Sequence, residues 1–180
     1  MSAVNGEASN LTGQKLSKND ISFHLIGTID ELNSHLGLVK AMLSNDDAWQ
    51  FTWQAACRFL ERTQRNLMIL MSHISDTSNE KYFFQQVEVI DLEKEIARLL
   101  ENIPKQKKFS MPGKNIIEAQ IQIARTIARR AERFFVAVNE KKVLCKNAGS
   151  YLNRLSDYLF FLSQQESLIN VNFINQLTGI

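Results

Sequence analysis

The sequence predicts an all-α fold, a five-helix up-and-down bundle in a single domain spanning residues 1–180. Three observations point there. Apolar residues recur at helical spacing along most of the chain, with no convincing strand alternation. Only seven Gly and two Pro punctuate 180 residues, which favours long uninterrupted elements. The composition, 44% apolar and 22% charged, is that of a globular protein able to bury one core.

Residues up to about 25 are small, polar and irregular, and read as an N-terminal arm. The first helix is expected from near Thr28, a potential cap, with Asp30 and Glu31 in a first turn whose dipole favours acids. Its apolar face is Leu32, Leu36, Val39 and Leu43. The second runs from about Asp47 to Ile74 with Asp46 or Asp47 capping, and SDTSNEK (75–81) follows as a polar loop. The third covers roughly 84–102 and stops before Pro104. In the fourth, about 114–139, Ile117, Ile121, Ala124, Ala128, Ala131, Phe135 and Val138 repeat in steps of four and three. That is a bundle seam whose small centre lets a neighbouring helix approach closely. The fifth runs from about Ser150 to Ile169 with Leu152, Leu155, Leu159 and Leu162 inward.

A net charge of +2 is too small to make nucleic acid or an anionic membrane the bulk partner, so any anion site must be local. No run of about 18 apolar residues suggests a membrane span. Cys57 and Cys145 lack metal-ligand spacing and suggest no disulfide framework, so a reducing compartment is the default and no metal-ligating residue is assigned. The opening MSAVNGEASNLTGQKLSKND has neither the apolar core of a signal peptide nor the early arginines of an intact transit peptide.

The most informative stretch is ARTIARRAERFF (124–135). Arg125, Arg129, Arg130 and Arg133 repel one another unless something anionic sits among them. Beside the apolar seam, Glu118, Gln122, Arg125, Arg129 and Glu132 form a polar stripe at the same four-three rhythm. One reading is a solvated face with weak ion pairs of about 0.2–0.5 kcal/mol each. The other is a phosphate- or carboxylate-binding fork, suited to guanidinium groups clustered beside small residues. In SYLNRLSDYLFFL (150–162), Asn153, Ser156 and Asp157 either form a polar edge with Arg154 or line an inter-helix groove. Asp30, in GTIDELNSHLG (27–37), serves its own helix or an arginine of another helix or subunit. Phe109, in KKFSMPGKN (107–115), packs under its loop or faces a large apolar ligand.

Taken together, GTIDELNSHLG, FSMPG, ARTIARRAER and YLNRLSDYLF resemble, in order and spacing, the PduO-type ATP:cob(I)alamin adenosyltransferases over roughly residues 12–165. The resemblance implies a ferritin-like five-helix bundle, assembled as a homotrimer with ATP at each subunit interface. It implies transfer of the 5′-deoxyadenosyl group of ATP to cob(I)alamin, giving adenosylcobalamin and a triphosphate that leaves with Mg²⁺. Carried over position by position, Arg129, Arg130, Glu132 and Arg133 hold ATP, as does Asn153. Lys18 matches a lysine before the first helix, and Ser9 falls in a small-residue segment contacting phosphates. Asp30 and Arg125 match an intersubunit salt bridge beside the corrinoid and are the residues assigned to catalysis. Phe109 matches the aromatic that displaces the lower base of cobalamin. An adenosylcobalamin-dependent enzyme is the implied acceptor of the product. The implied compartment is bacterial cytoplasm or mitochondrial matrix.

The chain departs from that pattern at its start. The family opens with a T-K/R-T-G-D-x-G stretch around the triphosphate, and in MSAVNGEAS only Gly6 lines up. Ser22 and Phe23 stand where many members have Arg-Val, and a Gly-Gly after the proline is reduced to Gly113-Lys114. Two further readings therefore stand beside the enzyme: a member that binds or escorts cobalamin or ATP without turnover, and a helical scaffold.

Overall fold

In the computed structural model, residues 6–44, 50–104 and 111–178 are described, with backbone alone for 50–52 and 170–178. Five α-helices follow a short hairpin: β1 (Glu7–Ser9), β2 (Lys15–Ser17), α1 (Ile21–Ser44), α2 (Gln50–Ser75), α3 (Gln86–Leu100), α4 (Ile116–Asn139) and α5 (Lys146–Thr178), with a 3₁₀ turn at Glu80–Tyr82. The all-α bundle expected from the sequence is present. α1 packs on α2 and α4, and α5 packs on α4 and α3.

The N-terminal arm is more ordered than its composition suggests. β1 and β2 pair antiparallel with Ala8 opposite Leu16. Asn10 Oδ1 builds the tip by accepting from the Thr12 and Gln14 amides and the Thr12 hydroxyl, and Gly13 supplies the positive φ of 80°. The Leu11 amide donates to Ser75 Oγ at 3.0 Å, tying the tip to the end of α2.

α1 begins seven residues before the expected Thr28. Asp20 Oδ1 accepts from the Ser22 amide at 2.8 Å and caps the helix. That bond, more than anything else, also holds the Asp20 carboxyl below its ordinary pKa. Thr28 is buried inside α1, its hydroxyl donating to the His24 carbonyl. Asp30 and Glu31 thus lie in the middle of α1, away from the dipole that was expected to favour them. The proposed caps Asp46 and Asp47 lie outside the described residues.

The core takes Leu25, Leu32 and Leu36 from α1, Leu60 and Leu67 from α2, Leu92 and Leu99 from α3, and the Ile121–Ala124–Ala128–Ala131 seam from α4. α5 starts a turn earlier than expected and adds Tyr151, Leu155, Tyr158 and Leu159. α3 is clamped to α2 by Arg62, which reaches Glu88 at 3.0 Å and Asp91 at 2.8 Å. Asn66 then joins Glu88 to the Tyr151 hydroxyl, so a polar tie spans three helices. No helix among the described residues is long and apolar enough to cross a membrane.

Candidate active site

The polar stripe of α4 runs from a buried end to an exposed one. At the buried end Glu118 is fully enclosed. Its Oε2 accepts from the amides of Gly113 (2.7 Å) and Lys114 (3.2 Å), closing the turn that feeds α4. Gly113 has φ of 99°, a conformation that β-carbon-bearing residues rarely adopt. Asn115 caps α4 through Oδ1 to the Glu118 amide, while its Nδ2 donates to Glu166 of α5 at 2.9 Å.

One turn on, Gln122 is buried and bonded on both sides. Its Nε2 donates to Ser163 Oγ at 2.9 Å, and its Oε1 accepts from Arg125 Nε at 2.6 Å. Arg125 has no carboxylate within ion-pair distance among the described residues. Burial and then the charge of Arg129 weaken its hold on its proton, and Glu118 opposes them. Such a guanidinium favours an incoming anion.

The exposed end carries the remaining arginines. Arg129 is exposed and makes no ion pair among the described residues. Arg130 pairs with Glu31 of α1. Arg133 donates to the Arg129 carbonyl at 3.3 Å. Glu132 faces α5, where Asn153 Nδ2 donates to its Oε1 at 2.7 Å. Asn153 Oδ1 takes Arg154 Nη2 at 2.9 Å, and Arg154 also pairs with Asp157 at 3.1 Å. The result is a strip of cations and amides on adjoining faces of α4 and α5, with more guanidinium than carboxylate. Guanidinium groups in such an arrangement are suited to an oxyanion.

The family model for cobalamin adenosyltransferase matches residues 4–166. The chain belongs to that family. A corrinoid adenosyltransferase of Citrobacter freundii is 34% identical over 167 residues, covering 90% of both chains. One from Bacillus subtilis is 33% identical over 158 residues, covering 83% of this chain and 76% of that one. Among solved structures, a PduO-type ATP:corrinoid adenosyltransferase variant from Lactobacillus reuteri complexed with cobalamin and ATP superposes with TM-score 0.79 at 26% identity. It covers 92% of this chain and 90% of that one. A further variant of that enzyme, complexed with ATP, gives TM-score 0.82 at 28% identity, covering 94% of this chain and 95% of that one.

Within this adenosyltransferase fold the expected residues are placed as follows. Arg125, Arg129, Arg130, Glu132 and Arg133 follow one another along α4, and Asn153 meets Glu132 from α5. Ser9 and Lys18 are exposed on the hairpin and at its exit, the Lys18 amide donating to the Gly6 carbonyl. Asp30 is exposed on α1. Phe109 lies outside the described residues. Arg130 is paired outside its own helix. Its acid is Glu31, 99 positions away, and Glu132 itself is taken by Asn153. The buried participants Glu118, Gln122, Ser163 and Glu166 went unassigned. Glu118 and Gln122 stood in the stripe, but nothing local signals that their end of it is covered by α5.

Proposed function

We propose that this chain is a corrinoid adenosyltransferase, moving the 5′-deoxyadenosyl group of ATP to cob(I)alamin. The observation that supports it most directly is the α4–α5 strip. Among the described residues, Arg129 and the end of the Arg125 fork are unspent on any acid, beside the Asn153–Glu132 pair. In the reaction a cobalt–carbon bond forms at C5′ as the C5′–oxygen bond breaks, and the triphosphate departs with the bonding electrons.

The residues supply position and charge. Arg129, Arg130 and Arg133 would hold the triphosphate, where charge grows as the C5′–oxygen bond lengthens. Glu132 and Asn153 would orient the nucleotide from the two helices, with Ser9 and Lys18 of the hairpin closing over phosphate. Arg125 would meet Asp30 of a neighbouring copy, which would account for its having no acid among the described residues and would put the site at a subunit boundary in a homotrimer. Phe109 would supply the apolar wall against the corrinoid. Among the described residues no cluster of three or more His, Cys, Asp or Glu side chains is placed to hold a metal ion. Mg²⁺ would therefore be held chiefly by the triphosphate oxygens and arrive with the nucleotide.

The test is direct: reduced cobalamin, ATP and Mg²⁺ are mixed with the protein and the visible spectrum is followed. Appearance of adenosylcobalamin together with inorganic triphosphate is expected. A base-off cob(II)alamin spectrum without product would instead assign the chain a binding role. No spectral change at millimolar ATP would remove both.

A further inference from the structure

We infer that Gln122 is a positioning residue for Arg125, oriented by Ser163; the inference rests on the adenosyl-transfer reading for what Arg125 meets. Gln122 is 6% exposed, at the edge of the apolar seam between α4 and α5. A primary amide in such a place is unfavourable unless its hydrogen bonds are made. Here they are made in one sense only. The Ser163 hydroxyl donates to the Phe160 carbonyl at 2.7 Å, so its proton is committed to the α5 backbone. The Ser163 oxygen is left to accept, and it accepts from Gln122 Nε2 at 2.9 Å. The Gln122 carbonyl must then face the other way, where it takes the Arg125 Nε–H at 2.6 Å. Turning the amide over would set its NH₂ against the guanidinium N–H, donor to donor.

The chain from Phe160 through Ser163 and Gln122 thus fixes Arg125 at its Nε. Among the described residues it leaves both terminal nitrogens, with four N–H donors, for an end-on fork toward a carboxylate or phosphate. An arginine side chain loses substantial rotamer entropy on binding, so fixing it before the second subunit or substrate arrives removes part of that cost. The apolar seam has no need of this arrangement: a methionine would fill the same volume.

The test uses Gln122→Met, Gln122→Glu and Ser163→Ala in the full chain, with Arg125→Ala as reference. Gln122→Met is expected to melt at or above the wild-type temperature, yet to raise KM for the corrinoid about tenfold, the worth of one charge-assisted bond. KM for ATP should stay within about twofold. Gln122→Glu still offers Nε an acceptor and should recover most of the loss. Ser163→Ala, which frees the amide to turn, should fall between, and it keeps the idea testable should Gln122→Met fail to fold. Wild-type corrinoid kinetics in both Gln122→Met and Ser163→Ala, with Arg125→Ala impaired, would overturn the positioning role alone. Wild-type kinetics in Arg125→Ala would overturn this role and the placement of Arg125 together.

Discussion

Asn153 of α5 and Glu132 of α4 meet through a 2.7 Å bond from amide to carboxylate, the closest polar join between the two helices beside the arginine strip. Because Asn153 Oδ1 is occupied by Arg154, the amide cannot turn without losing a bond. If this pair orients the nucleotide, Asn153→Ala should raise KM for ATP about tenfold, the cost of one bond to a charged group. Asn153→Asp should cost more, setting a carboxylate against Glu132 and the triphosphate. Steady-state kinetics with circular dichroism as a fold control decides it. An unchanged KM in both variants would remove the pair from the nucleotide site.

Arg129 and Arg130 are neighbours in sequence with different standing. Arg130 is engaged with Glu31 in a surface pair, its side chain 41% exposed and that of Glu31 45%. Such pairs contribute about 0–1 kcal/mol. Glu31→Gln should therefore leave the melting temperature nearly unchanged and free Arg130, with ATP binding equal or tighter. Arg129→Lys removes a planar fork that makes no ion pair among the described residues and should weaken ATP binding about ten- to hundredfold. Titration calorimetry on the two variants checks both; a loss in Glu31→Gln as large as that in Arg129→Lys would mean that the Glu31–Arg130 pair, and not a freed Arg130, serves the nucleotide.

What the sequence disclosed and what it concealed divide along a physical line. The seam and stripe of α4 were legible because both are periodicities within one helix, set by its 3.6-residue turn. The start of α1 was not. Thr28 has the chemistry of a cap, but the helix continues past it toward Ile21 because Asp20 offers a carboxylate to the Ser22 amide. The hairpin escaped because three-residue strands are too short to show alternation, and its register is set by Asn10 and Gly13 at the tip. In the site, the arginines announced themselves, while the partners of Arg130 and Gln122 lie 99 and 41 positions away and follow only from packing.

Gly149 and Phe135 show the same dependence on packing. A β-carbon on Gly149 would stand 2.7 Å from Phe135 Cε1, nearer than side chains approach. Phe135 is 6% exposed and has nowhere to retreat. Gly149→Ala gains about 1 kcal/mol of helix propensity and loses about 1–3 kcal/mol to overpacking, so a net loss near 1 kcal/mol is expected. Urea midpoints measure it. In a double-mutant cycle, Phe135→Leu should make the alanine neutral or stabilising; additivity of the two losses would exonerate the ring.

His73 sets a pH dependence. Its Nε2 accepts from the Cys145 amide at 3.0 Å just before α5, so the neutral ring carries its proton on Nδ1, which has no partner among the described residues. Burial, and then the charge of Lys142, hold its pKa below the ordinary 6.5. In the folded chain the imidazole stays neutral at a pH where the unfolded chain already protonates it. As pH falls below about 6.5 the unfolded state binds the extra proton and stability declines. The decline stops once pH passes the folded pKa, where both states are charged. Urea midpoints should thus be level from pH 8 to 7 and begin to fall as pH drops below about 6.5. His73→Gln keeps a carbonyl acceptor for the Cys145 amide but does not titrate, and should lower the slope in that window. An identical slope in the variant would place the acid sensitivity elsewhere.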